Sequence, residues 1–524
     1  MRSLWLCVVF LINFVVVPFS FAKTPIDSLV VAMELDEIMT LDPAEAFEVT
    51  SSDYIYNTYD QLLNVDSQNP LILKGQIAEK WDISPDGKTY TFHIKKGLKF
   101  ASGNPITAQD VIFSLRRLIS LNKSPAGYFN KFGWTPDTVQ TMVRAEGEDK
   151  VILETDRVYA PNLLLYCLTT PAGSIVDHKV VASHEKNGDF GHEWLKTHGA
   201  ESGPFVLKKW VPKEILILER NPFYREAFVN KVQKVIFRHI AKPENQQLLL
   251  QKGDIDVARN LTLPHAQSVK DAKIQKVLTA DTVYMQMNQK NPYLSKPEVR
   301  QALRYLIDYQ GLQDQIGRGE FLIHQSFLPK GFPYALEDQP YTLNVEKAKE
   351  LLKQAGLEKG FTLTLDVFAS RAEMAQALQS TFAKAGIELK ILMGDQKQIL
   401  TKIRERRHDL AISQWSPDYF DPHMNAETFA RNPDNSDQAS EKTVAWRSSW
   451  NIPELTKKAE SAALETEPAK RQKIYEDLQR LLREDSPFIN MFQKVRILTM
   501  RPNVDGLVVV MPLNRVLYKD VVKK

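Results

Sequence analysis

The segment Trp415-Ser-Pro-Asp-Tyr-Phe-Asp-Pro422 carries the residues best suited to hold a charged ligand. It sets one carboxylate, Asp418, among the aromatic side chains of Trp415, Tyr419 and Phe420, and its prolines Pro417 and Pro422 keep it out of regular helix. A carboxylate fixed in semi-apolar surroundings suits an ammonium group, because a partner charge counts for more in low dielectric than in water. The same residue types also build ordinary surface turns packed by their own rings. Other chemistries lack their residues. The chain has no G-x-S-x-G, no CxxC and no Walker sequence, and its ten His show no H-E-x-x-H or H-x-x-x-H spacing. No catalytic group, metal cage or cofactor motif can be named.

The elements that must position Asp418 come next. Residues 408–414 have an apolar centre that reads as a short buried strand, so the loop is expected to leave a sheet edge and enter a cleft. From Val345 onward the chain alternates: a helix over 346–355 closed by Gly356, a strand over 361–367, a helix over 371–385 ended by Gly386, and a strand over 387–391. Such alternation predicts an α/β sheet covered by helices. A helix over 467–484 points Ile474, Leu478, Leu481 and Leu482 inward, and a strand-rich tail follows.

Nearer the start, Ser28-Leu-Val-Val-Ala-Met reads as a strand, and a helix is expected over 54–63 with Tyr56, Tyr59 and Leu63 on one face. Pro85-Asp-Gly is a turn, and Thr89-Tyr-Thr-Phe-His-Ile alternates with period two, putting Tyr90, Phe92 and Ile94 together. Thr107 and Asp110 have capping-box spacing before the stripe Val111, Leu115, Leu118, Ile119.

At 524 residues and 43% hydrophobic, the chain is too long for one core and should divide into two or three domains. Its 67 Lys+Arg against 64 Asp+Glu, net +3, leave no nucleic-acid footprint. Met1-Arg2, the apolar run 4–17 and Ser20-Phe-Ala read as a secretory signal cleaved after Ala22, the run being shorter than the ~20 residues of a spanning helix. The mature chain is expected to be soluble and exported. Losing Cys7 with the leader leaves Cys167 alone in an apolar stretch, a buried inert thiol.

Ile77-Ala-Glu-Lys-Trp-Asp-Ile-Ser-Pro-Asp-Gly-Lys-Thr-Tyr-Thr-Phe-His-Ile-Lys-Lys-Gly-Leu-Lys-Phe, continued by Gly103-Asn-Pro-Ile-Thr-Ala-Gln-Asp-Val-Ile-Phe-Ser-Leu-Arg-Arg, resembles the signature of the family 5 extracellular solute-binding proteins. These are the periplasmic dipeptide-, oligopeptide- and nickel-binding proteins of ABC importers. Ser102 stands where the family more often has Asp. Ser202-Gly-Pro-Phe, Gly253-Asp-Ile-Asp-Val-Ala and Lys296-Pro-Glu-Val-Arg-Gln-Ala-Leu carry the likeness along nearly the whole mature chain.

The resemblance implies an α/β, two-lobed periplasmic binding protein of the class II type, with mixed sheets and an extra subdomain on the first lobe. Signal peptide 1–22 is followed by lobe I in three parts (23–66, 191–283, 488–524), the extra subdomain 67–190 and lobe II 284–487, with hinges near 281–287 and 485–491. Within the family the segment matching Trp415 to Pro422 supplies the Asp that pairs with the α-ammonium of a bound peptide, and Asp418, Trp415 and Tyr419 match it. Ile412 occupies the place where oligopeptide binders carry an Arg for the ligand carboxylate. Arg371 lies in the region from which related proteins bring a His or Arg into the cleft, and a helix N-terminus there also favours an anion. Phe420, Trp446 and Trp450 are candidates for pocket walls. The implied partners are a peptide and an inner-membrane ABC permease, with the protein acting as a monomer in the periplasm. A non-peptide cargo (opine, haem, nickel chelate or oligosaccharide) and an exported hydrolase are the competing expectations.

Overall fold

A computed structural model describes residues 24–228, 230–511 and 515–524. The leader read over 1–22, with Cys7, lies outside the described residues. Two long antiparallel strands, Lys273–Met287 and Phe488–Met500, run through the middle of a mixed sheet that has eleven strands among the described residues. On one side Phe488–Met500 pairs with Val257–Ala258, beyond which lie Ser28–Met33, Lys234–His239, Ile215–Arg220 and Phe205–Val211. On the other, the C-terminal half of Lys273–Met287 pairs with Leu410–Trp415, followed by Phe361–Phe368 and Ile387–Gly394. Two bodies with separate cores thus share one pair of strands. These are the two lobes.

The shared pair is imperfect. Leu278 faces Val495 but Thr282 faces Gln493, so residues 279–281 bulge, and a second irregularity falls between Val283 and Tyr284. A bulge interrupts the ladder and bends the strand, which is the local weakness a hinge requires. Gln493 bridges the gap, its Nε2 donating to the Thr279 carbonyl at 2.6 Å. The break overlaps the expected 281–287 on one strand but falls against residues 490–495 on the other, mostly beyond 485–491.

A four-stranded antiparallel sheet, in the order Ala78–Ile83, Thr89–Ile94, Lys150–Glu154, Val143–Glu146, forms the extra subdomain with helix Ala108–Leu121. Tyr90, Phe92 and Ile94 share its buried face, and Asp110 Oδ2 accepts both the Thr107 N–H and its hydroxyl at 2.8 Å. Cys167 is buried in the same core.

Four expectations are corrected by tertiary contacts. The helix expected over 54–63 is Val49–Thr58, and Leu63 opens a strand instead. It ends early because the Gly203 N–H takes the Thr58 carbonyl at 2.8 Å and the buried Asp60 turns the chain toward Arg225. Leu410–Trp415 is an interior strand between Phe361–Phe368 and Lys273–Met287, not a sheet edge, and residues 410–413 are buried on both faces. Pro422 starts a helix, Pro422–Phe429, where its missing N–H costs nothing. In Pro468–Glu484, Leu481 is 39% exposed, and Tyr475, one turn before Leu478 and two before Leu482, takes the inward place.

The Ser202-Gly-Pro motif has a packing reason. Ser202 Oγ accepts the Asp60 N–H at 2.9 Å and donates to the Ile175 carbonyl at 2.8 Å, drawing two chain segments together. A Cβ on Gly203 would lie 2.6 Å from the Thr58 carbonyl carbon. Gly203→Ala is expected to lose ~1–3 kcal/mol by forcing those backbones apart, read from urea unfolding midpoints. An unchanged midpoint would contradict this.

Candidate functional site

A cavity of about 670 Å³ opens where the long strands cross between the lobes. Register explains its floor. Tyr284 lies opposite Ser413, and Tyr284, Gln286, Ser413 and Trp415 line the cavity while Val283, Met285 and Met287 enter the core behind. Arg371, just before helix Ala372–Ala383, reaches the cavity, as does Lys494 from the hinge, and Glu37 approaches from the other lobe. Arg371 donates to Gln414 Oε1 at 3.2 Å and lies 5.6 Å from the Phe321 ring centroid. Burial draws the pKa values of Arg371 and Lys494 below their ordinary ranges. Among the described residues neither makes a salt bridge to a carboxylate.

Asp418 sits on the loop that joins strand Leu410–Trp415 to helix Pro422–Phe429, and both loop ends are tied down. The Ser416 hydroxyl donates to Asp281. Asp421 accepts the His423 N–H at 2.8 Å and receives both Arg471 amino groups, at 2.9 and 2.7 Å. Between these anchors Asp418 is half-buried and faces the first lobe and its subdomain, across a void of about 10 Å³ lined by Ala46, Phe47, Ser52 and Tyr128. Its side-chain partner is the Tyr128 hydroxyl, and no cation among the described residues is ion-paired to it. Burial pushes its pKa up to about 7, against the smaller pull of Tyr128 and Lys131. An ammonium group arriving there would meet a carboxyl that has few other partners.

The remaining candidates separate. Trp415 is half-buried on the cavity wall with its indole N–H unpartnered. Tyr419 is fully buried, edge-on to Tyr128 with centroids 6.1 Å apart. Phe420 does not line the cavity, because it is wedged between Phe332 and Tyr166 at centroid distances of 4.5 and 5.9 Å. Trp446 and Trp450 are likewise packed, the first 4.6 Å under Arg406 and the second 6.0 Å from Phe488.

Sequence reasoning missed the groups that face the loop from the subdomain. Lys131 pairs with Glu427 at 2.5 Å, and its Nζ also lies 3.2 Å from the Tyr419 hydroxyl. Lys131 belongs to the subdomain and Glu427 to helix Pro422–Phe429, so the pair joins the subdomain to the helix that follows the ligand loop. Lys131→Met takes its 2.5 Å partner from Glu427, which is 26% exposed, and should raise the Kd for ligand about threefold to tenfold by calorimetry. An unaltered Kd would show that the pair does not contribute to binding.

The model of the bacterial extracellular solute-binding proteins, family 5 Middle, matches residues 73–437. The probable D,D-dipeptide-binding periplasmic protein DdpA of Escherichia coli (strain K12) is 28% identical over 516 residues, covering 97% of this chain and 96% of the relative. Di/tripeptide-binding protein 1 of Pseudomonas aeruginosa (strain UCBPP-PA14) is 26% identical and covers 88% of each. Among solved structures, the periplasmic binding protein DppA of Helicobacter pylori in complex with peptide STSA superposes with a TM-score of 0.78 at 24% identity, covering 94% of this chain and 97% of that one. AgaA of A. tumefacien R10 with agropinic acid gives 0.74 at 21% identity, covering 92% and 94%. These likenesses show the two-lobed fold.

Proposed function

Because the chain belongs to the bacterial extracellular solute-binding proteins of family 5, we propose that it is the periplasmic component of an ABC importer for peptides. It closes two lobes over a peptide, shields it from water and delivers it to an inner-membrane permease, whose ATPases supply the energy. The relatives named for dipeptides and tripeptides support this reading. The observation that carries it is Asp418, a half-buried carboxyl with no ion-paired cation among the described residues. Asp418 takes the peptide's α-ammonium group, Trp415 walls the cleft, Tyr419 backs the loop, and Arg371 with Lys494 takes the terminal carboxylate.

The protein acts as a monomer after removal of residues 1–22. Lobe I comprises 23–66, 191–283 and 488–524, the subdomain 67–190, and lobe II 284–487. It binds and releases its cargo unchanged. Burial holds the Cys167 thiol well above its ordinary pKa, which disfavours the thiolate a nucleophile needs. Native mass spectrometry of protein purified from periplasm should show a bound peptide with a free amino terminus, recovered intact. A non-peptide solute, such as an opine, or hydrolysis fragments would contradict the reading.

A further inference from the structure

We infer that Arg447 is a subsite for an acidic side chain of the bound peptide, so that the cleft selects ligands with a second carboxylate. The inference rests on the peptide reading above. Arg447 ends the short helix Val444–Arg447 and lines the same 670 Å³ cavity as Tyr284, Gln286 and Ser413.

Like Arg371, it has no carboxylate partner among the described residues, which sets the two apart from most inward arginines of their lobe. Arg300 meets Asp485, Arg406 meets Asp437, Arg471 meets Asp421, and Arg483 meets Asp338. Arg304, without a carboxylate, donates to the carbonyls of Arg300, Ser486 and Phe488. Arg447 has a buried Nε with no acceptor, and no carboxylate among the described residues pairs with it. A guanidinium left so is costly, and a carboxylate from the ligand matches its planar fork through two parallel hydrogen bonds.

The neighbouring groups point the same way. Gln286 Nε2 donates to Ser413 Oγ at 2.7 Å, while its Oε1 is buried and unpartnered. Turning that amide over keeps the Ser413 bond, the hydroxyl then donating, and places an N–H where the buried Oε1 now lies. Both Arg447 and Gln286 line the cavity, and each carries a buried polar atom without a hydrogen-bond partner among the described residues. Charge count agrees. Arg371, Arg447 and Lys494 face the cavity, whereas its acidic lining residues Glu37 and Asp395 are exposed at the rim. The buried Asp281 offsets part of the charge of Lys494, one terminal carboxylate answers Arg371 and Lys494, and Arg447 is left for a second.

The test is calorimetric titration of the full mature chain with Ala-Ala and Ala-Ala-Ala, and with peptides in which each residue in turn is Glu or Gln. At one position Glu should bind about tenfold or more tightly than Gln, as expected for a desolvated charge pair. Arg447→Gln should bring that ratio close to one, and Arg447→Lys should leave an intermediate value, since lysine keeps the charge but loses the fork. The ratio is taken within each variant, so a loss of folding does not mimic it. Equal binding of Glu and Gln peptides at every position, or a ratio that survives Arg447→Gln, would overturn the subsite while leaving peptide binding intact. Failure of every peptide to bind would remove the peptide reading and this one with it.

Discussion

Asp418→Asn should raise the Kd for a peptide with a free amino terminus by about thirtyfold to several thousandfold, the ~2–5 kcal/mol lost when one partner of a buried charge pair is removed. The substitution keeps the shape of the side chain, and the loop remains pinned by Ser416 to Asp281 and by Asp421 to Arg471. The loss therefore reports the charge. Calorimetry at fixed ionic strength measures it, and a change below about threefold would contradict the assignment.

The same carboxyl gives the protein a pH signature with a definite sign. Burial sets its pKa at about 7 in the unliganded site. Pairing with an ammonium group requires the ionised form, so affinity should weaken, with proton release on binding, as pH falls below about 7. Asn at 418 should flatten that profile. In the unliganded protein the native state holds a proton that the unfolded chain releases, between the ordinary 3.8 and about 7. Stability contributed by this group is thus present at low pH and lost as pH rises through that window. Glu201, pushed up to about 7 by burial, adds a slope of the same sign.

The second large effect is on stability. Asp421→Ala should destabilise the protein by ~3–5 kcal/mol, since it strands the Arg471 guanidinium without its anion. Asp421 is 1% exposed, caps helix Pro422–Phe429 through the His423 N–H, and receives two hydrogen bonds from Arg471. Arg471 also donates from Nε to the Ala462 carbonyl at 3.0 Å, so one pair ties the ligand loop to two helices. Replacing both partners by apolar residues, Asp421→Leu with Arg471→Met, should recover much of the loss, because an ion pair of this kind is worth little against good packing. Urea unfolding of the three variants decides the matter. A loss under about 1 kcal/mol for Asp421→Ala would show that water reaches the pair.

What could be read in advance follows from where the physical cause lies. Alternation at Tyr90, Phe92 and Ile94 and the Thr107–Asp110 box are recorded in adjacent residues, since burial of one face and capping of one helix act locally. The ligand loop stood out because two prolines, three aromatics and two acids are crowded into eight residues. What faces that loop was not legible. Tyr128 and Lys131 lie almost three hundred positions earlier in the chain, and nothing near either one marks so distant a partner. Phe420 was misplaced because filling a core and lining a pocket call for the same side chain. The helix end at Thr58 was missed because its stop signal, Gly203, belongs to another part of the chain. Arg371 was placed near the cleft, but Arg447, without a carboxylate partner among the described residues, became visible only against the paired arginines around it.

The decisive measurement is a double cycle: wild type and Asp418→Asn, each titrated calorimetrically with the same tripeptide bearing a free or an acetylated amino terminus. If the carboxylate grips the ammonium group, each change alone removes most of the affinity and the two together remove little more, giving a coupling of at least about 2 kcal/mol. Simple additivity of the two losses, with coupling near zero, would place the positive end of the ligand elsewhere and contradict the account.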